Sequence, residues 1–162
     1  MLIDIRNRKD CEFVRDNLKA RPPTRSRAVI GLTSGCFDLF HSLHLAYLQK
    51  CRRMCDFLIV GVDGDEAVRR TKGPGRPIVP EHQRVMLVNA LECVDITFVM
   101  GSLADWELAC GEFHPTVLFK NTDFKPDDVV NPMKSEVVIV PDVVVVDSTT
   151  AIIQEILKHH ER

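Results

Sequence analysis

The stretch Gly35-Cys36-Phe37-Asp38-Leu39-Phe40-His41-Ser42-Leu43-His44 sets two imidazoles three residues apart, directly behind the apolar run Ala28-Val29-Ile30-Gly31-Leu32. On a helix, residues i and i+3 share a face, so His41 and His44 can donate hydrogen bonds to one anion. With the helix opening near His41, its free N–H groups and positive dipole end point the same way, and phosphate is the natural guest. Imidazoles so placed stabilise the charge that builds on a leaving pyrophosphate. The turn before them, Ser34-Gly35-Cys36-Phe37, offers further polar groups to the same anion.

Other polar groups gather at comparable positions. Arg69-Arg70-Thr71-Lys72-Gly73-Pro74-Gly75-Arg76-Pro77 reads as a cationic loop able to close over an anionic substrate, with Lys72 and Arg76 as charge clamps. Arg84, one turn into the following helix, adds a third cation. Asp147-Ser148-Thr149-Thr150 precedes the periodic Ile152, Ile153, Ile156 and Leu157, so hydroxyls that cap this helix can also hold phosphate. Lys120, with Asn121 and Asp123 behind it, closes an apolar run and can touch substrate or base. Asp38 either stabilises the turn or positions a metal-bound phosphate, and both readings stay open here.

The elements that must position these groups follow from hydrophobic periodicity. Short β-branched runs over 28–32, 57–62, 94–100, 116–119 and 137–140 read as strands buried on both faces of a parallel sheet. Between them, Leu43, Leu45, Tyr47, Leu48, Cys51 and Met54 give one helical face. Val85, Leu87, Val88 and Leu91 give a second, and Leu103, Trp106, Leu108 and Cys110 a third. Alternation of strand and helix is the mark of an α/β, doubly wound parallel sheet, which binds ligands beyond the carboxyl ends of its strands. Residues 1–27 read as an N-terminal extension with a helix over 9–20 and a proline-marked, solvated connection carrying Arg21, Arg25 and Arg27. Residues 28–162 form the single main domain.

Composition narrows the function further. With 162 residues, 45% hydrophobic, and a formal net charge of -2, the chain lacks the basic excess that a nucleic acid polymer demands. No stretch has signal-peptide or membrane-spanning character, so a cytoplasmic protein without a membrane partner is expected. The six cysteines are scattered through regular elements and read as free, buried thiols; no metal-ligating residues are assigned. Lys158-His159-His160 at the end reads as a solvated helix terminus.

Gly35-Cys36-Phe37-Asp38-Leu39-Phe40-His41-Ser42-Leu43-His44 resembles the G-x-F-D-x-x-H-x-G-H hallmark of the cytidylyltransferase-like nucleotidyltransferases. Within that family the chain is most similar to the adenylyltransferase domain of bacterial ADP-heptose synthesis enzymes, over about residues 30–156. The motifs are Lys72-Gly73, Arg76-Pro77, Pro80, Gln83-Arg84, Ala90 to Asp95, Lys120 with Asp123-Phe124-Lys125-Pro126, and Ser148-Thr149-Thr150. The resemblance implies a Rossmann-like nucleotidyltransferase fold and direct transfer of a nucleotidyl group from ATP to a sugar phosphate, heptose 1-phosphate being the nearest acceptor. It implies that His41 and His44 bind the triphosphate and departing pyrophosphate. Lys72 and Arg84 would hold donor or acceptor phosphates, and Ser148 to Thr150 the polyphosphate from the opposite side. Mg2+ bridging phosphate oxygens and a homodimer are implied as well, with the helical face at Trp106 as a candidate contact. The competing readings are a cytidylyltransferase for a polyol or amino-alcohol phosphate, and a nucleotide-binding regulatory protein without turnover. The chain departs from the family pattern at Leu43, where the motif has glycine, and at Asn121-Thr122, which replaces a glycine pair.

Overall fold

A computed structural model describes residues 1–20, 28–141 and 149–160. The strands are β1 (Ile30–Gly35), β2 (Phe57–Asp63), β3 (Ile96–Met100), β4 (Val117–Asn121) and β5 (Glu136–Val140). All pair in parallel, in one five-stranded sheet of order β3-β2-β1-β4-β5. The helices are α1 (Arg8–Ala20), α2 (Ser42–Met54), α3 (Asp65–Lys72), α4 (Glu81–Asn89), α5 (Leu103–Phe113) and α6 (Thr149–His160). This is the doubly wound α/β architecture that the alternating pattern predicts.

Successive strand residues point to opposite faces, and the core divides accordingly. On one face Leu32, Ile59, Phe98 and Leu118 pack with Cys11 and Val14 of α1 and with Trp106, Ala109, Cys110 and Phe113 of α5. On the other, Leu58, Val60, Val62, Val117 and Phe119 meet Leu48 and Cys51 of α2 and Val85 and Val88 of α4. Each such aliphatic side chain, fully buried, contributes roughly 1.5–3 kcal/mol. Along the margin of β3, Leu2 bridges Thr97 in parallel; Ile3 N–H donates to the Thr97 carbonyl at 3.0 Å and Thr97 N–H to that of Met1 at 2.8 Å.

Several expectations shift. The stretch over 94–100 becomes regular strand only at Ile96, because the Asp95 carboxylate turns inward to accept the Leu58 N–H at 2.9 Å. The cationic stretch beginning at Arg69 is not all loop: Arg69, Arg70 and Lys72 belong to α3, which ends where Gly73 takes φ 95, a conformation that suits glycine. Leu87 and Leu108 are exposed, out of phase with the buried stripes at Val85 and Val88 and at Trp106, Ala109, Cys110 and Phe113. Trp106, the candidate dimer contact, is only 3% exposed and belongs to the chain's own core, with its indole N–H donating to the Val130 carbonyl at 2.7 Å.

Candidate active site

The β1–α2 junction turns sharply through Phe37 and Leu39, both in the left-handed region at φ 53 and φ 44. Such positions are strained for residues with side chains and persist only when their neighbours hold them. Asp38, between them, does the holding. Its buried carboxylate accepts the N–H groups of Ile78, at 3.0 Å, and Val79, at 2.9 Å, and the Arg76 guanidinium at 3.1 Å. Burial alone would raise this carboxyl's pKa, but those three donors outweigh it and hold the group below the usual carboxylate range. Arg76, expected as a charge clamp on substrate, is here the partner of Asp38, whose contacts are those of the turn-stabilising reading, and the two fasten the 73–79 loop to the junction.

His41 is the N-cap of α2, and His44 stands one turn on. Their rings stack at 4.0 Å between centroids, and His44 also lies edge-on to Phe37 at 5.5 Å. The His41 N–H is directed at His44 Nδ1 at 3.4 Å, so that nitrogen is the acceptor and Nε2 carries the hydrogen. Burial first, then the charges of His41 and Lys72, push the His44 pKa down to about 4. His44 is thus a neutral donor at physiological pH. From α6, Thr149 Oγ1 donates to the Asp38 carbonyl at 2.9 Å and lies 3.5 Å from His41 Nε2. Thr150 follows it and is exposed, whereas Ser148, like Arg21, Arg25 and Arg27, lies outside the described residues.

Beyond Leu32 the backbone ladder between β1 and β4 stops, at the topological switch of the sheet, the place where sheets of this kind bind ligands. Side chains bridge the two strands there. Thr33 Oγ1 donates to the Phe119 carbonyl at 3.0 Å, and Lys120 Nζ donates to Ser34 Oγ at 2.8 Å. The Lys120 ammonium also sits over the rings of Trp106, at 4.6 Å, and Phe124, at 4.9 Å. Burial pulls its pKa down against the opposing pull of Asp63. Asp123 is exposed and takes the Asn121 side-chain amide at 2.8 Å.

Arg84 reaches the junction from beneath. Its guanidinium is 1% exposed and donates to the Cys36 carbonyl, to Val79 O at 2.8 Å and to Asp65 at 2.7 Å. In this arrangement it braces the Gly35-Cys36 turn. Gly35 ends β1 against the Phe37 ring, which a Cβ would meet at 3.1 Å. The Cys36 thiol is pushed up by burial, with Lys72 and Arg84 pulling the other way. Lys72 ends α3, exposed, and its charge is felt at His44, Cys36 and Asp63.

Sequence reasoning missed Asp63, the last residue of β2, whose Oδ1 is buried with no hydrogen-bond donor. A carboxylate ending an otherwise apolar strand was the available signal. It missed Asp65, the partner of Arg84, as well. Among the described residues no group of three or more His, Cys, Asp or Glu side chains is placed to hold a metal ion, and no helix is long and apolar enough to cross a membrane.

A family model described as cytidylyltransferase-like covers residues 32–161. The bifunctional protein HldE of Syntrophotalea carbinolica is 37% identical over 156 residues, covering 93% of this chain and 31% of that protein. HldE of Trichlorobacter lovleyi is 36% identical over 163 residues, covering 96% of this chain and 31% of the relative. The chain therefore spans less than a third of the length of these relatives. Among solved structures, a lipopolysaccharide core biosynthesis protein from Thermoplasma volcanium superposes with TM-score 0.60 at 25% identity, over 72% of this chain and 98% of that one. Pantoate-beta-alanine ligase from Francisella tularensis shares the fold, with TM-score 0.56 at 13% identity over 87% of this chain and 66% of its own.

Proposed function

The chain belongs to the cytidylyltransferase-like family, and from that premise we propose that it transfers a nucleotidyl group from ATP to a sugar phosphate, releasing pyrophosphate. Heptose 1-phosphate is the acceptor that the resemblance favours. The observation that carries this reading is the close pair His41 and His44 at the start of α2, beside the end of β1 where its pairing with β4 has stopped.

In the proposed reaction an acceptor phosphate oxygen attacks the α-phosphorus as the bond to the bridging oxygen of the departing pyrophosphate breaks. The thiols of Cys36 and Cys51 are buried with raised pKa values, which disfavours them as covalent nucleophiles. Such transfer depends on positioning and charge stabilisation. His44 Nε2–H donates to the leaving polyphosphate without having to lose or gain a proton. Lys72, exposed at the end of α3, neutralises phosphate charge. Thr149 lies beside His41 from α6. These imidazole, hydroxyl and ammonium groups suit an anion. A magnesium ion would therefore be carried mainly by phosphate oxygens, where it would neutralise charge on the triphosphate.

The test is pyrophosphate release with magnesium, using ATP, CTP, GTP and UTP against a panel of sugar 1-phosphates and polyol phosphates. Release that requires ATP and a sugar 1-phosphate, and that is lost in His41→Ala, supports the proposal. Release with CTP and a polyol phosphate would replace it by the cytidylyltransferase reading, and nucleotide binding without release by the regulatory one.

A further inference from the structure

We propose that Asp63 is a sugar-reading residue of this site, its carboxylate accepting a hydrogen bond from a substrate hydroxyl at the carboxyl edge of the sheet. The inference rests on the nucleotidyl-transfer reading above.

Strand parity places it. Leu32, Ile59 and Leu118 belong to the core on the α1–α5 face, so Ser34, Asp63 and Lys120, each two or four residues on, project from that same face. Asp63 ends β2, and Ser34 and Lys120 are the last residues but one of β1 and β4; the three strands are neighbours in the sheet. Lys120 is already spent on Ser34, and Asp63 Oδ1 has no protein donor. A buried carboxylate oxygen without a donor is costly, and a bound ligand is one way for a functional site to supply the missing bond. Burial raises the Asp63 pKa, with Lys120, Arg84 and Lys72 acting against it.

The chemistry of the missing partner follows from those neighbours. The charges of Lys120, Arg84 and Lys72 already act on Asp63, so another cation gains little there, and an anion would meet the carboxylate itself. A neutral hydroxyl meets neither objection. Phe124, 42% exposed and packed on Lys120, adds an apolar ring of the kind that stacks on the C–H face of a sugar. The hydroxyl belongs either to the ribose of the nucleotide or to the acceptor sugar; the chemistry is shared, and binding measurements separate the two.

The experiment is calorimetric binding of ATP, 2′-deoxyATP, 3′-deoxyATP, heptose 1-phosphate and its single-deoxy analogues to the native chain and to Asp63→Asn. The expected result is that Asp63→Asn weakens one of the two parent ligands about tenfold, the loss of one charged hydrogen bond. One deoxy analogue should then lose the same factor on the native chain and nothing further on the variant. If that analogue is a nucleotide, Asp63 reads the ribose; if it is a heptose, it reads the acceptor. The inference is overturned if Asp63→Asn binds both parents within about twofold of native, or if every analogue loses as much on the variant as on the native chain. Should the variant not fold, the native series decides alone: tolerance of every deoxy analogue overturns the inference. Binding of neither parent to the native chain would instead overturn the transfer reading, and this inference with it.

Discussion

Arg84 and Asp65 stand 2.7 Å apart, one in the second turn of α4 and the other opening α3, with the guanidinium 1% exposed and the carboxylate's side chain 22% exposed. The same guanidinium holds the carbonyls of Cys36 and Val79, so one side chain ties two helix starts to the end of β1.

Removing it leaves an acceptor set without a donor. Arg84→Met should cost about 3 kcal/mol, and Arg84→Lys about 2 kcal/mol, because one ammonium cannot reach all three partners. In a chain of this length that lowers the melting temperature by roughly 5–10 °C, read by calorimetry. A melting point unchanged in both variants would show that the brace carries no stability.

The pH response of His44 has a definite sign. Its pKa in the folded chain, about 4, lies below the ordinary 6.5, so the unfolded chain takes up the proton more readily between those values. Stability therefore falls as pH drops from 6.5 toward 4, by on the order of 3 kcal/mol from this group. Asp38, whose pKa is depressed, adds a loss in the same direction once pH falls below the ordinary carboxylate value. NMR titration should find the His44 ring still neutral at pH 5.5; a ring protonated there would contradict its neutral state and the acceptor role assigned to Nδ1.

How much of this was legible in the sequence depends on what carried the information. The strands and α2 were readable because apolar periodicity is local, and the histidine pair because its spacing is local too. The pairing of Asp38 with Arg76 was not, since it joins residues brought together only by the closing of a distant loop. The role of Arg84 was obscured in the same way: a cation in a helix start looks free until the fold buries it. Trp106 was legible as part of an apolar helical face, but periodicity does not say whether such a face covers the chain's own sheet or a second copy. Asp63 sat in plain view at the end of β2, and only burial without a donor distinguished it from a solvated strand end.

Leu43 occupies the second position of α2, half-buried, where the family motif has glycine. Leu43→Gly should cost about 1 kcal/mol in urea denaturation through lost helix propensity. It should also raise kcat/KM for the nucleotide several-fold, by letting the substrate approach the helix backbone. An unchanged kcat/KM would mean that the leucine side chain lies clear of the bound nucleotide.

The thiols offer a check on burial. Cys51 is pushed up to about 12, and Cys55 and Cys110 to about 11, in each case chiefly by burial. Cys11 and Cys36 are buried with raised values, and Cys93 alone is half-buried. A chromogenic disulfide reagent at pH 8 should modify one thiol quickly in the native chain, at Cys93, and all six in guanidinium. Rapid modification of Cys36 would show that the junction opens far more than its packing implies.

The short bridge of Leu2 to Thr97 bears on how copies of the chain behave at high concentration. It occupies the outer backbone groups of Thr97 near the start of β3, which would otherwise help template an incoming strand. Among the described residues β5 has no strand on its outer side. Growth of the sheet from one molecule into the next is thereby directed to the β5 margin, where the charge of exposed Glu136 is the natural deterrent to fibril-like stacking.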